Sequence, residues 1–152
     1  MSDKMFTFEI NRTTNAPAAT LFRLETDGAR WSEWAKPPIV QSSWEQQGDP
    51  LPAGVGAVRK VGMGMWPMPM REKTIAYEQD RRHVYLQIGP PLPAKDYRAE
   101  MLLTANPAGG TDIRWTGSFI EGLRGTGPIM LIFLRSVVGF LAGRLVKAAE
   151  RQ

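Results

Sequence analysis

Residues 126–152 read TGPIMLIFLRSVVGFLAGRLVKAAERQ and predict a long helix after a series of strand-like segments. Apolar residues recur at the i, i+4, i+7 spacing of one helix face. The residues of this stripe are Met130, Leu134, Val137, Leu141, Leu145 and Ala148. An amphipathic helix buries its apolar side against another layer of structure. We therefore expect this helix to cover a sheet built by the residues before it.

The preceding residues alternate apolar and polar side chains, which is the pattern of half-buried strands. One strand is expected at 4–12, followed by a helix at 18–25 and a second short helix within 27–34. Six further runs at short spacing predict an antiparallel meander: IVQSSWEQ (39–46), GVGAVRKV (54–61), REKTIAYE (71–78), HVYLQI (83–88), DYRAEMLLTA (96–105) and TDIRWTGSFI (111–120). Glycine and proline dominate several of the connections between them, as expected for turns. The prediction is an α+β fold with seven strands in one domain, 1–152.

Composition removes several classes of site. The chain has no cysteine, which excludes disulfides, thiolate nucleophiles and cysteine-bound metals. The net charge is +4, but no run of lysine and arginine exceeds two residues, so we expect no nucleic-acid partner. The sequence shows neither the layout of a secretory signal nor eighteen consecutive uncharged apolar residues, and we expect a cytoplasmic protein.

The order of these elements resembles the START-like, Bet v 1-like superfamily, and more narrowly the bacterial polyketide cyclase/dehydrase-like SRPBCC proteins. The segments that carry the resemblance are Ala16-Pro17, Asp27 with Arg30-Trp31 and Trp34, Gly54 to Arg59, Arg71-Glu72-Lys73, and Gly109 to Trp115. The resemblance implies a helix-grip fold, in which a curved antiparallel sheet wraps around the C-terminal helix and leaves an apolar cavity. Members bind lipids, sterols, polyketides or aromatic molecules, and some catalyse cyclisation or dehydration.

Strand alternation and the helix stripe predict which side chains would line such a cavity. The candidates are Tyr97, Met101, Ile113, Trp115, Phe119, Met130 and Leu134. Each of them also fits a packed core without a ligand. Trp115 and Tyr97 are the stronger candidates, because their polar tips require a partner when they are buried.

The segment 62–73, GMGMWPMPMREK, predicts a flexible lid over the cavity. Its prolines at 67 and 69 are incompatible with a regular central strand, and methionine adapts to irregular apolar partners. The ligand-binding candidates here are Met63, Met65, Trp66, Met68 and Met70. Two alternatives remain: packing on the rest of the fold, and contact with a membrane through this segment and the cations beside it.

Arg59, Tyr77 and Tyr97 are the candidate catalytic residues, since related cyclases use arginine and tyrosine groups inside the pocket. An inward Arg59 would need an anionic partner, and we expect instead a surface salt bridge. His83, the single histidine, follows Arg81-Arg82 and is predicted in an exposed turn. We therefore expect neither a metal site nor a cofactor.

Two glycines in the last helix, Gly139 and Gly143, each cost roughly 1 kcal/mol relative to alanine in a helix interior. Close approach of another helix in a homodimer is one interpretation. Intramolecular packing or a gentle bend is the other.

Three functional hypotheses follow. The first is a carrier or sensor of a small hydrophobic lipid, polyketide or aromatic ligand, held between the sheet and the C-terminal helix. The second is an aromatase/cyclase or dehydratase that uses Arg59 and a pocket tyrosine. The third is a membrane-associated or protein-interaction module.

Overall fold

A computed structural model of the chain describes residues 4–64, 68–89 and 93–152. The strands in these ranges are β1 (Met5–Thr14), β2 (Ile39–Gln46), β3 (Val58–Met63), β4 (Met70–Glu78), β5 (Arg82–Ile88), β6 (Ala94–Ala105) and β7 (Thr111–Glu121). The helices are α1 (Ala18–Thr26), α2 (Trp31–Trp34) and α3 (Gly127–Glu150). The predicted order of strand, two short helices, meander and long helix is confirmed.

The strands form one antiparallel sheet with the order β1-β7-β6-β5-β4-β3-β2. Strands that follow each other from β2 to β7 are neighbours, and β1 joins the far side by pairing Met5 with Ile120. Register shifts interrupt the β2–β3, β4–β5 and β6–β7 pairs, and such bulges bend a sheet. The sheet is accordingly curved, and the core lies between it and α3.

The predicted inward faces of the last two strands are confirmed. On β7 the buried set is Thr111, Ile113, Trp115, Gly117 and Phe119, and on β6 it is Tyr97, Ala99, Met101 and Leu103. Both sets follow the two-residue period of a strand with one solvated face.

The inner side of α3 is centred slightly off the predicted stripe. Leu134, Leu141 and Leu145 are buried as expected, together with Val138, which the prediction omitted. Met130 and Val137, two members of the predicted stripe, are half-buried at its margin. The apolar side of α3 therefore has a buried centre and an edge that is partly exposed to solvent.

One predicted strand begins later than expected, and the second helix occupies the end of its predicted range. β3 begins at Val58 instead of Gly54, because residues 54–57 form a turn in which Gly56 has a φ of +91°. The second helix begins at Trp31, because the Asp27 carboxylate accepts a hydrogen bond from the Ala29 N–H in an Asx turn.

Candidate functional site

Five polar side chains meet inside the fold where α1 lies against the middle of the sheet. This buried charge cluster consists of Glu25 from α1, Arg59 from β3, Glu72 and Thr74 from β4, and His83 from β5. All five are at most 6% exposed. Burying ionised groups is costly unless they are paired and hydrogen-bonded, so these groups depend on one another.

Arg59 is the centre of the cluster. Its Nε donates to Glu72 Oε1 at 2.9 Å, Nη2 donates to Glu25 Oε2 at 3.1 Å, and Nη1 donates to the Glu25 carbonyl at 2.5 Å. The guanidinium also lies 4.3 Å from the centroid of the Trp31 ring and 4.6 Å from that of Tyr85. The expected surface salt bridge is therefore wrong: Arg59 is 3% exposed and its polar edge is filled by protein partners.

His83 connects the two sides of the cluster. Its Nδ1 lies 2.8 Å from Glu25 Oε1, and its Nε2 lies 2.9 Å from the hydroxyl of Thr74. The predicted exposed turn histidine is wrong, since His83 belongs to β5 and is 1% exposed. β5 begins at Arg82, so His83 lies inside the strand, where Glu25 and Thr74 bind both of its ring nitrogens.

The cluster shifts the acid–base properties of its members. Burial alone raises the pKa of Glu25, but electrostatic attraction and hydrogen bonds from His83 and Arg59 outweigh it, so the pKa lies below its ordinary value. Burial disfavours the charged form of Arg59, but Glu72 and Glu25 outweigh that effect and raise its pKa. Arg59 is thus a permanent cation and not a proton donor.

A small cavity adjoins the cluster, between the sheet and α3. Its apolar walls are Trp31, Ile39, Val61, Met63, Met70, Phe133, Leu134, Val137, Val138 and Leu141. Three polar side chains complete the lining, and all three lie on the sheet: Glu72, Tyr85 and Tyr97. We call these three residues the polar end of the cavity. An apolar pocket with a few convergent polar groups is the usual form of a small-molecule site.

The tyrosines of the polar end stay protonated at neutral pH. Burial raises the pKa of Tyr85 well above its ordinary value, and the neighbouring Glu72 carboxylate raises it further. The pKa of Tyr97 is raised by the same two causes. The Trp115 indole N–H donates to the Tyr85 hydroxyl oxygen at 3.2 Å, which leaves the Tyr85 O–H available as a donor.

The cavity is small in this conformation. Its volume is about 30 Å³, which corresponds to roughly one water molecule. Pockets for drug-sized molecules measure roughly 300 to 1,000 Å³, so a ligand of that size requires side chains to move outward.

The predicted site residues fall into four places. The cavity lining includes Met63, Met70, Tyr97 and Leu134. The packed core contains Met101, Ile113, Trp115 and Phe119, and half-buried Met130 packs against that core. Met68 is 48% exposed, and Tyr77 borders a separate surface depression beside α1. Met65 and Trp66 lie outside the described residues.

Sequence reasoning missed Glu25 and did not place Glu72 and Tyr85 in the cavity site. A signal for Glu25 existed, because it lies four residues after Leu21 on the apolar side of α1. Glu72 lies between Met70 and Thr74 on the inward face of β4. A carboxylate on an apolar face indicates a buried partner. Within the described ranges, no group of three histidine or acidic side chains is arranged to hold a metal ion.

Comparison with known proteins supports the architecture. A solved structure, the crystal structure of Ara h 8.0201, matches with a TM-score of 0.74 and 18% sequence identity, covering 98% of this chain and 100% of that one. Ara h 8 is a Bet v 1-like protein, and at this identity the likeness shows the fold alone. No curated protein sequence matches the chain. The family model described as polyketide cyclase/dehydrase and lipid transport matches residues 5–150, and the chain therefore belongs to that family.

Proposed function

We propose that the protein is a carrier or sensor that binds a small hydrophobic molecule between α3 and the sheet. The observation that carries the proposal is an apolar cavity that ends on one carboxylate and two tyrosines. Membership of the family supports hydrophobic ligand binding in general.

The polar end favours one chemical class of ligand. The Glu72 carboxylate accepts hydrogen bonds, while the Tyr85 and Tyr97 hydroxyls, held neutral by their raised pKa values, can donate them. A hydroxyl group both donates and accepts, so it can satisfy both kinds of partner at once. A ligand carboxylate would instead meet the like charge of Glu72 in a low-dielectric interior. We therefore propose a neutral, hydroxyl-bearing apolar ligand, such as a phenolic or sterol-like molecule.

The methionines provide the adaptability that binding requires. Met63 ends β3 and Met70 begins β4, on neighbouring strands of the sheet, and both line the cavity. Unbranched thioether side chains change rotamer easily and repack around different apolar shapes. In this proposal the cavity expands by displacement of these side chains and of the half-buried edge of α3 at Phe133 and Val137.

The geometry favours binding over catalysis. Arg59, the predicted proton donor of a cyclase, is fully engaged by Glu25 and Glu72. The raised pKa values make Tyr85 and Tyr97 poor general acids near neutral pH, although they remain good hydrogen-bond donors. We therefore assign a structural role to Glu25, Arg59, Thr74 and His83, and a ligand-positioning role to Tyr85 and Tyr97. Glu72 belongs to both groups, since it pairs with Arg59 and lines the cavity.

The test compares two probes of similar shape, 2-naphthol and 2-naphthoate, by isothermal titration and by their effect on the melting temperature. We expect 2-naphthol to bind and 2-naphthoate to bind at least 10-fold more weakly. Tyr97→Phe should weaken naphthol binding by about 5-fold, the value of one hydrogen bond, while the control Tyr77→Phe leaves it unchanged.

Native mass spectrometry of gently purified protein adds an independent measurement, since a stoichiometric apolar molecule carried from the cell would support the proposal. Absence of a carried molecule together with no binding of apolar probes would overturn it. Tighter binding of naphthoate than of naphthol would overturn the assigned ligand class while leaving the cavity as the binding site.

A further inference from the structure

The outer side of α3 carries a stripe of small and apolar residues that includes three large exposed side chains. This outer stripe consists of Ile129, Ile132, Ser136, Phe140 and Gly143, spaced three or four residues apart. Ile129, Ile132 and Phe140 are 72%, 68% and 48% exposed. A Cβ added at Gly143 would meet nothing within 4 Å, so no described part of the chain covers this end of the stripe.

Cations prevail along the stripe. Between Glu121, which accepts hydrogen bonds from the Gly125 and Gly127 N–H groups, and Glu150, which accepts one from the Thr14 hydroxyl, the sequence contains no acidic residue. It contains four cations there: Arg124, Arg135, Arg144 and Lys147. The Arg144 guanidinium lies 5.0 Å from the centroid of the Phe140 ring, so a cation packs directly against the largest apolar side chain of the stripe. Apolar side chains flanked by cations are the pattern of helices that lie on anionic membranes.

The stripe also adjoins the cavity. Pro37, Pro38, Ser136, Val137 and Phe140 form a surface groove between α3 and the start of β2. Val137 lines both this groove and the cavity behind it. A molecule that enters the groove at Phe140 is thus separated from the cavity by the half-buried edge of α3.

A bilayer fits this face better than a second copy of the chain. In a two-fold dimer the same face meets itself, which would bring Arg144 and Lys147 of both copies together. The one acidic residue of α3, Glu150, already accepts a hydrogen bond from the Thr14 hydroxyl. Anionic lipid headgroups provide the missing negative charge, and the acyl region accepts Ile129, Ile132 and Phe140. By length and composition α3 could also cross a membrane, but its inner side supplies the core of the fold, so we place it on the surface.

We propose that the outer stripe of α3 docks on the surface of an anionic lipid bilayer, with the groove at Phe140 facing the lipid. The helix lies parallel to the membrane, and Arg144 and Lys147 contact phosphates. This surface is distinct from the methionine-rich segment, and the proposal stands whether or not the cavity binds the ligand class assigned above.

The test is co-sedimentation of the full chain with vesicles of phosphatidylcholine alone or with 30% phosphatidylglycerol. We expect binding to the anionic vesicles, little binding to the neutral ones, and loss of binding at 0.5 M salt. Ile129→Ser/Phe140→Ser should reduce binding at least 10-fold. The control Leu51→Ser/Ile75→Ser, which changes apolar residues of similar exposure elsewhere, should not.

A second pair of variants tests the charge. Arg144→Gln/Lys147→Gln should weaken binding on the order of 30-fold, whereas the control Lys73→Gln/Arg98→Gln removes two exposed cations from the sheet and should have a much smaller effect. Melting temperatures establish that the variants are folded.

Three outcomes would overturn the proposal. The first is no binding to anionic vesicles, and the second is equal loss of binding in the variants and their controls. The third is a dimer in analytical ultracentrifugation that Ile129→Ser/Phe140→Ser dissociates, which would assign the stripe to a second copy of the chain.

Discussion

Glu25 and His83 are 58 positions apart in the chain, and the His83 Nδ1 lies 2.8 Å from Glu25 Oε1 in an interior closed to water. One residue belongs to α1 and the other to β5. The contact between these two polar side chains connects the first helix to the middle of the sheet, at a depth where apolar packing is the usual contact. We therefore expect single substitutions in the cluster to be costly.

The first prediction concerns Glu25→Gln, which leaves buried Arg59 with Glu72 as its one carboxylate partner. Breaking a buried ion pair from one side typically costs about 3 to 5 kcal/mol, so we expect a loss of that size in the free energy of unfolding in urea. Glu33→Gln is the control, because Glu33 pairs with Arg30 at the surface and such pairs contribute at most about 1 kcal/mol. Similar losses in both variants would contradict the structural role of the cluster.

The second prediction is a dependence of stability on acid. The pKa of Glu25 in the folded protein lies below its ordinary value of 4.5, so the carboxylate contributes stability that is complete above that pH. This contribution is lost as the pH falls through the folded-state pKa. We expect the free energy of unfolding to decrease below about pH 4.5, and less steeply in Glu25→Gln. Parallel curves for the two proteins would rule out Glu25 as a source of the effect.

The third prediction concerns alkaline titration of the three tyrosines. The pKa values of buried Tyr85 and Tyr97 are raised above 10.0, so their neutral forms stabilise the fold and this stability is lost as the pH rises above 10. The pKa of Tyr77 is also raised by burial, but Tyr77 is only half-buried, so we expect it to ionise at a lower pH than the other two. Absorbance at 295 nm should show one tyrosine titrating in the folded protein and two at alkaline unfolding. Tyr77→Phe should remove the first step, and its persistence would contradict the assignment.

The fourth prediction compares two glycines. Gly143→Ala places its Cβ in open space in the middle of a helix and should raise the free energy of unfolding by about 0.5 to 1 kcal/mol. Gly117→Ala should be destabilising, because its Cβ would lie 2.4 Å from the Phe8 ring on the neighbouring strand. Thermal melts of both variants provide the measurement. A destabilising Gly143→Ala would indicate that another surface packs closely on this position.

Periodicity predicted the elements of the fold because a strand or helix with one solvated side has apolar residues at regular spacing in its own sequence. The alternation at Ile113, Trp115 and Phe119 identifies the inward face of β7 without information from any other segment. The spacing of Leu134, Leu141 and Leu145 does the same for α3. Boundaries such as the start of β3 depended on Gly56, whose turn conformation leaves little trace in a hydrophobic pattern.

The candidate site was predicted less completely because its chemistry depends on side chains far apart in sequence. Arg59 and Glu72 are directly opposite each other on β3 and β4, but that register becomes visible only once the hairpin is formed. Glu25 reaches them from a helix more than thirty residues earlier. The size of the cavity depends on small packing differences, since a few methyl groups separate a filled core from an open pocket.

The position of β1 has a consequence for how the chain acquires its structure. β1 pairs along its whole length with β7. Thr14 therefore cannot form its pair until Thr111 has been synthesised, almost one hundred residues later. At roughly 5 to 20 residues per second, that delay during synthesis is on the order of 5 to 20 seconds. During this interval β7 has not been synthesised, so β1 has no strand to pair with. The helix that packs on β1, α3, has not been synthesised either. We therefore expect the nascent chain to expose Phe8 and Ile10 until late in translation, and the meander from β2 to β6 to be the part that can organise first.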